Sequence, residues 1–265
     1  MMKLNFLHGA KKRFGQHFIV ESSIIETLVK FIMPQAEDIM IEIGPGLGAL
    51  TFAILPYVNH LQAIELDRDL AMHLTLSKDP KLTIHQLDAL RYDFKKGVDK
   101  NKKIRVIGNL PYNISTPLLF HLLSFSEYIQ DMHFMLQKEV EEGLVGKCST
   151  KAYGRLSVMV GYVSQVALLS LIPPTAFHPS PKVTSAFVRI VPYTTLPFVA
   201  SDFSLFSKIV QQAFNQRRKT LKNSLHAIVT PAHFEKAEID SQLRAENLDV
   251  EGFVKLTNIC SQDSF

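Results

Sequence analysis

Three observations predict an α/β fold with a mostly parallel sheet and a small C-terminal all-α domain. Apolar runs of strand length alternate with helix-patterned segments from Asp38 to Val191. The first run exits through a glycine-rich turn, Gly44-Pro45-Gly46-Leu47-Gly48. Gly44, Glu65, Asp88 and Asn109 each fall at the carboxyl end of a successive run, so they would share one edge of a parallel sheet, where open α/β sheets bind ligands.

Taken in order, Ile24, Ile25, Leu28, Val29 and Ile32 have helical spacing, started by Ser22 or Ser23 and stopped by Pro34. Asp38 to Ile43 reads as a strand, Ala49 to Tyr57 as a helix, Leu61 to Ile64 as a strand ending at Glu65, and Leu82 to Leu87 as a third strand ending at Asp88. Ile104 to Ile107 is a short buried strand feeding the loop Gly108 to Pro117. A helix follows, capped by Ser115 or Thr116, with Pro117 in its first turn. Further elements are a strand at Met132–Leu136, helices at Lys138–Val145 and Arg155–Val163, a strand-like run Gln165–Leu171, and a last, antiparallel strand Thr184–Val191. Pro192 to Ser201 reads as a linker, and the pattern beyond it is helical: Phe206, Ile209, Val210, Ala213 and Phe214, then Leu221, Leu225 and Ile228, then 232–239 and 250–259. The expected division is 1–197 for the sheet domain with a basic N-terminal arm and 198–265 for the helical domain.

Composition narrows the function classes. The 265 residues are 46% hydrophobic and 20% charged, which suits a globular chain with one sizeable core. No apolar run reaches the ~18 residues that span a bilayer. The N-terminus lacks a signal-peptide core, and Cys148 and Cys260 fit no metal or redox spacing, so no metal site, no membrane and a cytoplasmic setting are expected. The net charge is only +4, but basic residues cluster: Lys3, Lys11, Lys12 and Arg13; Lys95, Lys96, Lys100, Lys102, Lys103 and Arg105; and Arg217, Arg218, Lys219 and Lys222. Three such clusters on a balanced background point to contact with a phosphate backbone.

The glycine turn nominally fits the dinucleotide pattern through Gly44, Gly46 and Ala49. Glu42 before it also makes the string E-x-G-x-G-x-G, and an acidic side chain there suits the α-amino group of an amino-acid moiety better than a pyrophosphate. S-adenosylmethionine is therefore favoured over NAD. Glu65, 21 positions after Gly44, stands where a carboxylate accepts from ribose hydroxyls, and Asp88 could accept from the adenine amine of the same ligand. In Asn109-Leu110-Pro111-Tyr112, Asn109 offers a side-chain carbonyl, and Pro111 restricts Leu110 so that its main-chain carbonyl lies nearby. Two acceptors suit an –NH₂ group, and Tyr112 offers a face for a base, a stacking contact worth ~1–3 kcal/mol. The loop Pro173 to Val183, stiffened by four prolines, presents Phe177 as a second aromatic that could close on that base.

FGQHF, EIGPGLGALT, AIELD, LDAL, IGNLPYNIST, FHPSPKVTS and FNQRRKTLKNSL together resemble the rRNA adenine N(6),N(6)-dimethyltransferase family over nearly the whole chain, and its bacterial small-subunit branch most. Relatives acting on the large subunit typically have Ile where Leu110 stands and lack the QRRKTL helix. The resemblance implies a Rossmann-like S-adenosylmethionine-dependent methyltransferase sheet. It implies that His17, Ile19, Gly44, Glu65, Asp88 and Asn109 contact the cofactor, and that Asn109, Leu110, Pro111 and Tyr112 hold the target adenine with Phe177 packing on it. It implies an RNA surface from Lys11, Lys12, Arg13, Arg217, Arg218, Lys219 and Lys222. The family usually carries Asn at position 17 and often Leu at 19; a main-chain contact tolerates the exchange to His17, a side-chain contact does not. The implied substrate is a pair of adjacent adenosines in a hairpin near the 3′ end of 16S rRNA, within a pre-30S particle late in assembly, modified by a monomer. An NAD-dependent oxidoreductase, a large-subunit methylase and a non-catalytic assembly factor on the same fold are the rival readings.

Overall fold

A computed structural model describes residues 11, 15–98 and 102–263. Its elements are β1 (Phe18–Ile19), α1 (Ser22–Ile32), β2 (Ile39–Ile43), α2 (Ala49–Ile54), β3 (Leu61–Glu65), α3 (Arg68–Thr75), β4 (Leu82–Gln86), β5 (Ile104–Asn109), α4 (Ser115–Leu123), β6 (Ile129–Gln137), α5 (Lys138–Leu144), α6 (Arg155–Val163), β7 (Ser164–Ile172), β8 (Phe177–His178), β9 (Ser185–Pro192), α7 (Phe203–Asn215), α8 (Leu221–Ser224), α9 (Pro231–Lys236) and α10 (Val250–Gln262). The strands and helices expected from the sequence are present to within a few residues. Residues 66–81, given no element in the sequence reading, contain α3, started by the Asp67 side chain accepting from Asp69 N. At α4 the expected Ser/Thr cap is not formed: Ile114 takes the cap position, and Ser115 Oγ instead donates back to Pro111 O at 3.0 Å.

The seven-stranded sheet has the order β4-β3-β2-β5-β6-β9-β7. Pairings from β4 through β6 are parallel, and β9 runs antiparallel to β6, as expected. The chain moves outward from β2 to β4 on one side and restarts at β5 on the other. The crevice at this reversal, outside the carboxyl ends of β2 and β5, is where such sheets bind ligands. Glu42 lies opposite Ile107 in the ladder, so the glycine turn after β2 and the loop after β5 begin side by side. Gly108 permits the approach, because a Cβ there would collide with Ile43 O.

The chain divides into two compact units, 1–141 with 167–192, and 142–166 with 193–265. The single boundary expected at 197/198 is not the whole division, because 142–166 also folds with the helices. The reason is aromatic packing: Tyr162 of α6 lies 4.5 Å from Phe206 of α7, and Tyr153 lies 6.1 Å from Phe214, with its hydroxyl donating to Leu248 O at 3.0 Å. Phe206, Ile209, Val210 and Ala213 are the buried stripe of α7, as their spacing predicts.

In the sheet unit a buried charge network sits on β5, β6 and β9. Arg105 lies opposite Asp131 in the ladder and donates through Nε at 2.8 Å and Nη2 at 3.1 Å to its carboxylate. Arg105 also donates to Asp38 Oδ2 and to the last carbonyls of α1, Ile32 O and Met33 O. The sequence reading grouped Arg105 with the surface lysines; it is 5% exposed and structural.

His133, two residues after Asp131, is fully buried, and its ring nitrogens have no hydrogen-bond partner among the described residues. Burial pushes its pKa down to about 4, against the opposing pull of Asp131. Between the usual histidine pKa of about 6.5 and that value the unfolded chain binds the extra proton, so acidification through this window removes on the order of 3 kcal/mol of stability. Replacing His133 by leucine is expected to shrink the loss of melting temperature between pH 7 and pH 5; an unchanged pH dependence would contradict this.

Candidate active site

The crevice at the sheet reversal is a cavity of about 340 Å³. It is lined by His17, Ile19, Gly44, Glu65, Asp88, Asn109, Leu110, Pro111 and Tyr112, which the sequence had scattered over nearly a hundred positions. Phe177 is the exception. It is 3% exposed and packs in the hydrophobic core with Ile19, Ile172 and Phe187, and it does not line the cavity. Its backbone pairs with Ile19, so in this structure it is a core anchor beneath the strap at 18–19 and not an aromatic facing a base.

Most of the polar lining residues are held by an identifiable contact. Gly46 turns the chain in the left-handed region (φ +59°), and its N–H donates to Glu65 Oε2 at 3.2 Å. Glu65 Oε1 accepts from Asp67 N at 2.8 Å, so the carboxylate is fixed at both oxygens, although burial still raises its pKa. Glu42, fully buried on β2, accepts from Thr51 Oγ1 at 2.6 Å, and burial pushes its carboxyl up to about 7. Asp88 caps a short helical turn by accepting from Leu90 N at 2.9 Å.

Leu110 is 1% exposed and its N–H donates to Met135 O, which pins the start of the loop to β6. Asn109 Nδ2 donates to His17 O at 2.7 Å, so its Oδ1 is the end of the amide offered as an acceptor. Tyr112 Oη and Ser185 Oγ share a hydrogen bond of 2.6 Å.

Two contacts here were not legible as site features. Ser185, in β9, anchors the Tyr112 hydroxyl. Asp67 is the hub of a clasp: its carboxylate accepts from Lys11 Nζ at 2.7 Å and Gln16 Nε2 at 3.2 Å, and Lys11 also pairs with Asp69 at 2.8 Å. Burial alone would raise Asp67, but the Lys11 ammonium and the amide donors hold it at about 2. Lys11, expected on an RNA surface, is therefore engaged beside the cavity. Lys12 and Arg13 lie outside the described residues.

The charge of the lining side chains discriminates between ligands. Glu42, Glu65 and Asp88 line the cavity, and no Lys or Arg does among the described residues. Such a set opposes a pyrophosphate and suits a ligand that carries a sulfonium, an ammonium on one side of it and ribose hydroxyls on the other. These are the groups of S-adenosylmethionine.

A model of the ribosomal RNA adenine dimethylase family matches residues 7–262. The chain belongs to this family. It is an S-adenosylmethionine-dependent methyltransferase of rRNA adenine. It is 52% identical to a ribosomal RNA small subunit methyltransferase A of Methylobacillus flagellatus, over 95% of this chain and 98% of that one. It is 47% identical to the protein of the same name from Shewanella oneidensis, over 99% of each. A dimethyladenosine transferase from Plasmodium falciparum shares the fold at 23% identity, with a TM-score of 0.75 over 91% of this chain and 96% of that one. The 23S rRNA methyltransferase ErmE shares it at 20% identity, with a TM-score of 0.67 over 92% of this chain and all of that one.

In the helical unit the third basic cluster divides in two. Arg217 pairs with Glu246 at 3.0 Å and donates to Lys151 O and Tyr153 O, so it also holds that unit together. Arg218, Lys219 and Lys222 are exposed and form no ion pair among the described residues. No metal-binding cluster exists among the described residues, and none of their helices is long and apolar enough to cross a membrane.

Proposed function

We propose that this chain methylates the exocyclic amines of two adjacent adenosines in a hairpin near the 3′ end of small-subunit rRNA. It does so as a cytoplasmic monomer on a pre-30S particle. The names of full-length relatives at 47–52% identity support the small subunit as target. The observation that carries the chemistry is the convergence of Asn109, Leu110 and Tyr112 with three carboxylates in one cavity that has no cationic lining side chain among the described residues.

The mechanism follows from the residues. When bound, S-adenosylmethionine supplies an electrophilic methyl group on a sulfonium. Glu65 and Asp88 would offer carboxylate oxygens to the hydroxyl and amine groups of the ligand, and Glu42 would ionise against its ammonium. The target adenine must leave its stack to enter the cavity. There Tyr112 stacks on the ring, and Asn109 Oδ1 and Leu110 O accept hydrogen bonds from the two N6–H groups. Both acceptors favour pyramidal geometry at nitrogen, drawing its lone pair out of the ring. With its lone pair freed in this way, the amine nitrogen would be placed to accept the methyl group of a bound cofactor, and the proton it sheds would pass to solvent. After the first transfer the amine keeps one N–H, so a second transfer on each base would engage only one of the two acceptors.

Outside the cavity, Arg218, Lys219 and Lys222 supply phosphate contacts that read RNA shape rather than bases. Neutralising these three residues is expected to reduce the slope of log affinity against log salt by roughly 0.7–0.9 for each phosphate that the variant no longer neutralises. An unchanged slope would mark the cluster as merely solvated. The function as a whole is tested by methylating small subunits from a strain lacking the enzyme and mapping the product. Two adjacent N6,N6-dimethyladenosines are expected, and modification confined to large-subunit rRNA would refute the assignment.

A further inference from the structure

His17 touches both loops that bound the target side of the cavity. Its main-chain oxygen accepts from Asn109 Nδ2 at 2.7 Å. Its ring stacks on Tyr112 with centroids 5.4 Å apart and planes 28° from parallel. Its Nδ1 lies 2.7 Å from Pro179 O, and a carbonyl can only accept, so that nitrogen carries the proton and donates. The residues that follow are fixed in turn: Phe18 pairs with His178, and Ile19 with Phe177. The strap before β1 is thus tied to the loop after β5 on one side and to β8 and its following turn on the other.

We propose that His17 is a positioning residue for the methyl transfer, one that fixes the two groups of the Asn109–Tyr112 loop that hold the target base. An amide free to rotate would present Nδ2, a donor, to the adenine amine about as readily as Oδ1. The His17 carbonyl takes up Nδ2 and leaves the acceptor for the substrate. Tyr112 is tethered at its hydroxyl by Ser185, a bond that leaves the ring free to tilt about that end. The His17 imidazole covers one face and sets the plane, and the other face remains for the base. The imidazole is itself held by Pro179 O, so the plane of Tyr112 is referred to a rigid, proline-rich turn. Offset aromatic pairs of this geometry prefer a defined orientation, which is what a stacking platform needs.

This role rests on the reading of Asn109 and Tyr112 as the holders of the adenine, and it concerns turnover more than cofactor affinity. The test compares wild-type enzyme with His17→Ala and His17→Phe on small subunits lacking the modification. It reads kcat and KM for the subunit at saturating S-adenosylmethionine, with cofactor affinity measured separately by calorimetry. His17→Ala is expected to lower kcat by about tenfold or more, since small misplacements of reacting groups are costly, while cofactor affinity changes little. His17→Phe, which restores a ring against Tyr112, is expected to recover most of that loss.

Unchanged kcat in His17→Ala with weakened cofactor binding would overturn the proposal and leave His17 a cofactor contact only. Equal impairment of both variants would also overturn it, because the ring would not be the cause. If His17→Ala loses its native circular dichroism, His17→Gln takes its place, keeping side-chain reach without a ring; wild-type kcat there refutes the proposal and a slowed one upholds it. Asn109→Ala run in parallel separates the two levels of the argument. If that variant turns over normally, the reading of the site fails; if it is inactive while His17→Ala is not slowed, only the role of His17 fails.

Discussion

Asn109→Ala is expected to lower single-turnover methyl transfer by at least about 10²–10³-fold, the cost of losing one pre-placed group that acts on developing charge at the reacting atom. The effect is large because the adenine amine is a poor nucleophile until its lone pair leaves the ring. The fold should survive. Asn109 is only partly buried and ends a strand, and among the described residues its side chain bonds to His17 O alone. Cofactor affinity should fall modestly, since Asn109 also lines the crevice. Rapid-quench methylation with enzyme in excess checks the rate, and circular dichroism checks the fold. Retention of even a tenth of the wild-type rate would mean that the amide does not hold the reacting nitrogen.

The second large effect lies in the sheet. Asp131→Ala is expected to cost up to about 3–5 kcal/mol of stability, because it takes from a buried guanidinium its bidentate carboxylate and leaves it Asp38. Asp131 is fully buried and accepts from Arg105 at 2.8 and 3.1 Å and from Arg189 at 3.0 and 3.3 Å. Arg105 is 5% exposed and cannot find water without opening the sheet. Its remaining partners, Asp38 Oδ2 and the carbonyls of Ile32 and Met33, tie the end of α1 to β5, so the loss should spread to the packing of α1. A shift in the urea midpoint at constant slope reads the loss. The double variant Arg105→Met with Asp131→Leu should recover much of it, since an apolar pair of similar volume avoids the stranded charge. A cost below about 1 kcal/mol for Asp131→Ala would contradict the account, placing the pair with exposed ion pairs of little worth.

These two cases show what a sequence can and cannot say about such a chain. Strand–turn–helix units are local: the run Ile39–Ile43, the glycines after it and the helical spacing behind them sit within twenty residues, so β2, α2, β3 and β5 were legible. The regular placement of Gly44, Glu65, Asp88 and Asn109 at strand ends was legible for the same reason, and all four line one cavity. Features decided by register across the sheet were not. Arg105 stood among lysines in the chain, but it faces Asp131 only because β5 and β6 pair in one register. Phe177 sat in a stiff polar loop that suggested an exposed aromatic, yet two-residue pairing with Ile19 turns it into the core. The clasp of Lys11 and Gln16 on Asp67 joins residues more than fifty positions apart, and nothing near Lys11 marks its partner.

The central claim, that Asn109 accepts from the amine of a flipped adenine, is tested most directly by a thermodynamic cycle. Target RNA carrying adenosine is compared with the same RNA carrying purine riboside, which lacks the N6 amine. Each is titrated into wild-type enzyme and into Asn109→Ala in the presence of S-adenosylhomocysteine. A coupling free energy of roughly 1–3 kcal/mol between amide and amine is predicted, within the range found for residues in direct contact. If the two losses simply add, so that removing the amine costs the same in both enzymes, amide and amine do not meet and the proposed grip is wrong.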